Sequence, residues 1–127
     1  MRILVVDDEE DIQPLFKQRF RREIRSGEVT FDFALSGEDA LRYLESGDSR
    51  VVLILSDINM PGMSGLELLQ RIRGAHGTAP PFVMMITAYD DESSRAQSIS
   101  LGADDFLTKP LDFNLLKQKL NNLETHG

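Results

Sequence analysis

The stretch "VVLILSDINMPGMSG", residues 51–65, determines the fold class. Its aliphatic run stops at Ser56-Asp57, and a proline and two glycines follow, which predicts a strand buried on both faces and then a turn. Continuously apolar strands of this kind are typical of parallel α/β sheets, whose ligands bind beyond the carboxyl ends of the strands. Asp57 therefore stands where an open α/β sheet has its active site.

The rest of the chain repeats this alternation between short apolar runs and stretches of helical period. The other apolar runs are residues 3–6, 29–34, 82–86 and 105–107. Helices are predicted over residues 12–24, from Ser36, from Ser64, over 91–101 and from Asp112, and residues 73–81 are interpreted as a loop. Five strands alternating with five helices predict parallel β-α-β units with right-handed crossovers and a sheet covered on both faces.

Length and composition restrict the class of protein. The 127 residues predict one domain, residues 1–127, which is long enough to bury a core without disulfides. The absence of cysteine excludes a thiol nucleophile and a cysteine-based zinc site. The formal net charge of -7 argues against non-specific nucleic-acid binding. No apolar run approaches the roughly 20 residues of a membrane span, and the amino terminus lacks signal-peptide features, so a cytoplasmic location is expected.

Charged and hydroxyl side chains follow the carboxyl ends of four of the apolar runs. They are Asp7, Asp8, Asp57, Thr87 and Lys109. Two carboxylates 4 Å apart repel each other by about 4 kcal/mol at an effective dielectric near 20, so a cation must offset them. Lys109 is one candidate, and oxygen ligands without Cys or His favour Mg²⁺ or Mn²⁺ as the other. The set predicts a site that receives a phosphoryl group, with Asp57 as carboxylate nucleophile.

Four separated segments resemble the receiver domain of two-component response regulators. They are "ILVVDDE", "LILSDINMPGMSGLELL", "VMMITAY" and "GADDFLTKPL". The likeness extends from Arg2 to about Leu123. It implies a flavodoxin-like, doubly wound five-stranded parallel sheet of order 2-1-3-4-5 with five helices. It also implies that Asp57 takes its phosphoryl group from the phosphohistidine of a histidine kinase or a phosphotransfer protein.

The resemblance assigns roles around the acceptor. Asp8, Asp57 and the backbone carbonyl of Asn59 would hold Mg²⁺, and Asp7 would act mostly through a metal-bound water. Lys109 would contact the phosphoryl oxygens and act with Asp57 in the transfer.

The resemblance also implies a switch. Thr87 would turn to hydrogen-bond the phosphate, and Phe106 would then move inward. The face made by the fourth helix, fifth strand and fifth helix would control a partner, an output domain or a phosphorylation-dependent homodimer. The Lys109-Pro110 bond is expected to be cis, with Pro110 as the cis-proline. Asn59 and Tyr89 would tune the lifetime of the phosphate.

Other functional classes stay open beside this one. A phosphorylation-independent, receiver-like interaction module is the main alternative, although the intact acceptor set argues against it. A Mg²⁺-dependent phosphatase would need a second aspartate where Asn59 stands, and the domain is therefore expected to be a signalling switch that promotes only its own phosphorylation and dephosphorylation. A calcium loop in "DINMPGMSGLEL" is excluded by Pro61 and Leu68 at its fifth and twelfth positions.

Two features of the sequence have more than one interpretation. The basic run "KQRFRREIR", residues 17–25, is interpreted as a solvated face of the first helix, with kinase docking as the sharper alternative. The chain ends soon after the fifth helix, which fits a stand-alone regulator and the receiver part of a longer protein equally. No direct nucleic-acid or membrane contact is expected of this domain.

Overall fold

A computed structural model describes residues 1–46, 51–76, 81–88 and 91–126. Its strands are β1 (Arg2–Val6), β2 (Thr30–Ala34), β3 (Val51–Asp57), β4 (Phe82–Thr87) and β5 (Asp105–Thr108). They form one sheet of order β2-β1-β3-β4-β5, and every pairing in it is parallel. The predicted sheet and its strand order are confirmed.

The helices agree with the prediction except at two places. They are α1 (Ile12–Arg19), α2 (Arg21–Ser26), α3 (Gly37–Glu45), α4 (Gly65–His76), α5 (Glu92–Ser100) and α6 (Phe113–His126). The described ranges therefore hold six helices where five were predicted. The additional helix arises because the first predicted helix is divided at Phe20, whose φ of -108° and ψ of 21° leave the α-helical region. Apolar spacing did not predict this break, because Phe16, Phe20 and Ile24 keep the i, i+4 interval through it.

The loop predicted for residues 73–81 is wrong over residues 73–76, where α4 continues. Gly74 lowers helix propensity in this turn. The side chain of Arg73 compensates, because it donates to the carbonyl oxygens of Gly102 at 2.8 Å and Pro81 at 3.2 Å. It also donates to the carboxylate of Asp104 at 2.7 Å. These hydrogen bonds connect the end of α4 to segments that are distant in sequence. A local sequence pattern does not reveal such contacts.

The helix starts were predicted correctly from their capping residues. The Ser36 hydroxyl accepts a hydrogen bond from the backbone N–H of Asp39 at 3.0 Å at the start of α3. At the start of α4, the Ser64 hydroxyl accepts one from Glu67 N–H at 3.2 Å. Each satisfies a backbone donor that the first helical turn leaves unpaired.

The core consists of two layers, one on each face of the sheet, because successive strand residues point to opposite faces. Leu4 and Val6 of β1 pack with α3 and α4, whereas Ile3 and Val5 pack with α1 and α6. The second layer contains a cluster of aromatic rings: Phe16, Phe20, Phe31, Phe33 and Phe113. Helix α5 contributes only Ser98 to the fully buried set. In the described ranges, no helix combines the length and the apolar character that crossing a membrane requires.

Candidate functional site

The strand register brings the predicted site residues to one edge of the sheet. Val6 of β1 lies beside Ser56 of β3, and Asp57 lies beside Ile86 of β4. Thr87, the last residue of β4, lies beside Thr108 of β5. The residues at and just beyond these strand ends therefore meet at the carboxyl edge, as expected for a ligand site in an open α/β sheet.

Three carboxylates meet at this edge. Asp7, Asp8 and Asp57 each offer an oxygen, and these oxygens all lie within 4.8 Å of one another. Asp7 and Asp57 are 3% and 2% exposed, whereas Asp8 is exposed to solvent. The Asp7 carboxylate accepts a hydrogen bond from the backbone N–H of Glu9 at 2.9 Å. A group of carboxylates this close has the oxygen-rich character that a hard divalent cation prefers.

Lys109 provides the positive charge that the carboxylates require. Its ammonium donates to Oδ2 of Asp57 at 2.8 Å. Its backbone N–H donates to the Thr87 carbonyl oxygen at 2.8 Å, which fixes the residue beyond the end of β5. The Lys109-Pro110 peptide bond is cis.

The surroundings of Asp7 and Lys109 shift the pKa values of both groups. Burial raises the pKa of Asp7 above its usual value, and the charge of Asp57 adds to the increase, against opposing effects of the Glu9 N–H and of Lys109. Burial alone would lower the pKa of Lys109, but its hydrogen bond to Asp57 and the charges of Asp57 and Asp7 outweigh burial, so the pKa is raised. The Lys109 ammonium therefore stays charged, while the protonated form of Asp7 is favoured relative to an exposed aspartate.

The side chain of Thr87 is buried at the end of β4. The residue is 1% exposed, and its hydroxyl has no hydrogen-bond partner among the described residues. A buried hydroxyl without a partner costs about 1–3 kcal/mol, so native structures rarely keep one without reason. The hydroxyl lies at the same sheet edge as the acidic cluster and has a proton to donate to a ligand there.

Three predicted site residues remain: Asn59, Phe106 and Tyr89. Asn59 is exposed, and its backbone N–H donates a long hydrogen bond of 3.4 Å to Oδ1 of Asp57. Phe106 is half-buried on β5. Tyr89 lies outside the described residues.

Two residues beside the site were missed by sequence reasoning. A side chain at Gly65 would collide with the backbone carbonyl of Asp57, so this position requires glycine for close approach of the chain. The glycine-rich turn "MPGMSG" was a usable signal for it. The other is Arg95 of α5, whose guanidinium lies over the Phe106 ring. No local pattern reveals that contact, because it depends on how α5 packs on β5.

Comparison with known proteins identifies the family. The family model described as response regulator receiver domain matches residues 3–121. The response regulator RppA of Synechocystis sp. is 36% identical over 98% of this chain and 50% of its own length. The 3',5'-cyclic-nucleotide phosphodiesterase regA of Dictyostelium discoideum is 34% identical over 97% of this chain and 15% of its own. The chain belongs to the response regulator receiver domain family.

A solved structure supports the same assignment. The response regulator TrrA of Thermotoga maritima, in complex with Mg²⁺-BeF, is 37% identical, with a TM-score of 0.76 over 96% of this chain and 97% of that one. The flavodoxin-like fold is thereby confirmed. The protein is thus a receiver domain of two-component signal transduction, a family in which phosphorylation drives switching. The chain spans about half the length of RppA.

Proposed function

We propose that Asp57 is the phosphoacceptor of this receiver. The observation that carries the proposal is the carboxylate of Asp57 at the end of β3, held by Lys109 at 2.8 Å and grouped with two further carboxylates. A carboxylate oxygen of Asp57 attacks the phosphorus of a phosphohistidine, and an O–P bond forms while the P–N bond breaks. The histidine nitrogen keeps the electron pair of the broken bond, and the product is an aspartyl phosphate.

The neighbouring side chains stabilise the charge of the transferring group. The Lys109 ammonium, whose pKa is raised by Asp57, pairs with phosphoryl oxygens as it now pairs with Asp57. The Thr87 hydroxyl, which has no partner among the described residues, donates a hydrogen bond to the same group. Asp57, Thr87 and Lys109 are therefore the residues that touch the phosphoryl group.

The acidic cluster fits a divalent cation, and Mg²⁺ is the one we propose, with Mn²⁺ as a substitute. Asp8 and Asp57 would hold it together with the backbone carbonyl of Asn59, and Asp7 would contribute through a water. The bound ion supplies positive charge that neutralises the phosphoryl oxygens. The donor set is oxygen only, which suits a hard cation, and the relative TrrA was solved with Mg²⁺-BeF.

The output of the switch is proposed to be the surface formed by α5, β5 and α6. Movement of Thr87 toward the phosphoryl group frees space for Phe106, and the two side chains thereby change this surface. Its partners would be an output protein, a fused effector domain or a second copy of the chain, and the phosphoryl donor would be a histidine kinase or a phosphotransfer protein. Catalysis would be limited to the domain's own phosphorylation and dephosphorylation. Asn59 and Tyr89 are proposed to tune the phosphate lifetime.

Intact-mass spectrometry tests the acceptor directly. The protein is incubated with acetyl phosphate and Mg²⁺, with EDTA in a parallel sample. We expect one added phosphate that requires Mg²⁺ and disappears in Asp57→Asn. Asp39→Asn, at a half-buried aspartate on α3 outside the acidic cluster, is the matched control and should be phosphorylated like the original protein. A mass gain that survives Asp57→Asn would refute the assignment, and no gain from either acetyl phosphate or a histidine kinase would favour the phosphorylation-independent module.

A further inference from the structure

Arg95 on α5 and Phe106 on β5 form a close contact between a cation and an aromatic ring. The guanidinium carbon of Arg95 lies 4.8 Å from the centroid of the Phe106 ring. Among the cation–ring contacts in the described ranges it is the shortest, the others measuring between 5.1 and 5.9 Å. This distance is well inside the roughly 6 Å at which a ring face attracts a cation.

The Arg95 guanidinium also has a buried donor. Its Nε–H is buried, and no hydrogen-bond acceptor is paired with it in the described part of the chain. A buried donor without an acceptor is unfavourable, and the electron-rich face of an aromatic ring is a weak substitute for an acceptor. The position of the guanidinium and the position of the Phe106 ring are therefore coupled.

The contact lies on the same face of the sheet as the Thr87 side chain. Phe106 is in register with Met85, and Thr87 follows Met85 by two residues on the same strand. Because alternate residues share a face, Met85, Thr87 and Phe106 point to the same side, which belongs to the core layer of α3 and α4. In this arrangement the Thr87 hydroxyl has no partner among the residues that the structure describes, and Phe106 is half-buried.

We propose that Arg95 is a positioning residue of the switch, which holds Phe106 in its half-buried position while the Thr87 hydroxyl is unbonded. The inference rests on the proposed function, because inward movement of Phe106 is the event that it opposes. Phe106 leaves the guanidinium when it moves inward, so the contact stabilises only the unphosphorylated arrangement. A group that stabilises one of two states lowers the affinity of every ligand that prefers the other. Loss of Arg95 should therefore increase the affinity of the acceptor site for a phosphoryl analogue.

The contact itself is tested without phosphorylation. In the NMR spectrum of the metal-free protein, the Arg95 Nε–H should exchange slowly with water and have a resonance shifted by the ring current of Phe106. Phe106→Leu should remove the shift. Arg71 on α4, which is exposed, provides the reference resonance. An Arg95 Nε–H that exchanges as fast as that of Arg71, at an unshifted position, would refute the contact and with it the proposal.

The switching role is tested by titration with beryllium fluoride in the presence of Mg²⁺. Arg95→Met should bind it about two- to fivefold more tightly, the range expected from loss of one partly exposed cation–ring contact. Arg95→Lys, which keeps the charge, should lie between Arg95→Met and the original protein. Arg71→Met should leave the affinity unchanged. In a Phe106→Leu background, Arg95→Met should have no further effect, because the coupled partner is absent.

Failure of the positioning role of Arg95 and failure of the acceptor assignment of Asp57 would give different results. If the original protein binds beryllium fluoride through Asp57 but Arg95→Met, folded by circular dichroism, binds it equally or more weakly, the positioning role is refuted and the acceptor assignment stands. If the original protein binds none, the acceptor assignment and the switching role are both refuted, whatever the NMR contact shows.

Discussion

At the scale of single residues, burial separates the two adjacent aspartates at the end of β1. Asp7 is 3% exposed and lies against Asp57, whereas Asp8 reaches solvent. The pKa of Asp7 is raised by burial first and by the Asp57 charge second. The charged form of Asp7 therefore destabilises the metal-free protein, and the proposed role of Asp7 in cation binding would account for this cost.

Replacing Asp7 with Asn should stabilise the metal-free protein. The variant removes the buried negative charge and keeps an oxygen that can accept from the Glu9 N–H. We expect a gain on the order of 1 kcal/mol in the free energy of unfolding near pH 7, measured by urea denaturation in EDTA. Asp8→Asn is the matched control and should change stability less, because its side chain is exposed.

The difference in stability between the original protein and Asp7→Asn should depend on pH in a defined direction. The folded-state pKa of Asp7 is above its unfolded value, so the original protein gains stability as the pH falls through the folded-state pKa. Below the unfolded value Asp7 is neutral in both states, and the original protein and Asp7→Asn should then be equally stable. A difference that grows as the pH falls would contradict the burial of a charged Asp7.

At the scale of secondary-structure elements, Arg73 connects three segments. It lies near the end of α4 and donates to Pro81 ahead of β4, and to Gly102 and Asp104 between α5 and β5. The Asp104 carboxylate also accepts from the backbone N–H of Val83 at 2.8 Å. The side chain of Arg73 is only 16% exposed, so this ion pair is better shielded than an ordinary surface pair.

Arg73→Met should destabilise the fold by about 2–3 kcal/mol, because hydrogen bonds to charged groups are worth about 1.5–3 kcal/mol and their acceptors lose a partner. Thermal unfolding with circular dichroism measures the change. Arg71→Met, on the exposed side of the same helix, should remain within about 0.5 kcal/mol of the original protein. Equal effects of the two substitutions would show that the network adds nothing beyond helix propensity.

The elements that could be predicted from sequence are those whose signals are local. The strands follow continuous apolar runs, and the starts of α3 and α4 follow capping serines. At the break, Phe20 packs on Phe31, and near the end of α4 Arg73 donates to Gly102, so both boundaries involve partners that are distant in sequence. Local patterns are least reliable at such element boundaries.

The features of the candidate site also fall into those that the sequence predicted and those that it did not. Asp7, Asp8, Asp57 and Lys109 were predicted to converge because polar residues follow the strand ends of a parallel sheet, and they do lie together. The sequence did not predict that the Thr87 hydroxyl would lack a partner in the described part of the chain, or that Arg95 would contact Phe106. Both are properties of packing between elements, which no spacing in the sequence encodes.

At the scale of the whole molecule, the sheet edge brings three carboxylates together in a chain whose formal net charge is -7. In the metal-free protein the Lys109 ammonium is paired with Asp57, and the charge of Asp7 also acts on it. A cation that binds the folded edge and not the unfolded chain stabilises the fold by mass action. The stability of the molecule should therefore report occupation of the site even when no phosphoryl donor is present.

Mg²⁺ at one hundred times its dissociation constant should raise the free energy of unfolding by about 2.7 kcal/mol, measured by denaturant titration with and without the ion. Because salt alone screens the repulsion among carboxylates, the reference sample has NaCl at matched ionic strength. Asp57→Asn should lose most of the increase, whereas Asp39→Asn should keep it. If NaCl reproduced the whole effect, the edge would be an acidic surface relieved by screening, and the metal assignment of Asp7, Asp8 and Asp57 would be wrong. If the increase is specific to Mg²⁺ and requires Asp57, folding and metal binding are coupled through the residue that is proposed to accept the phosphoryl group.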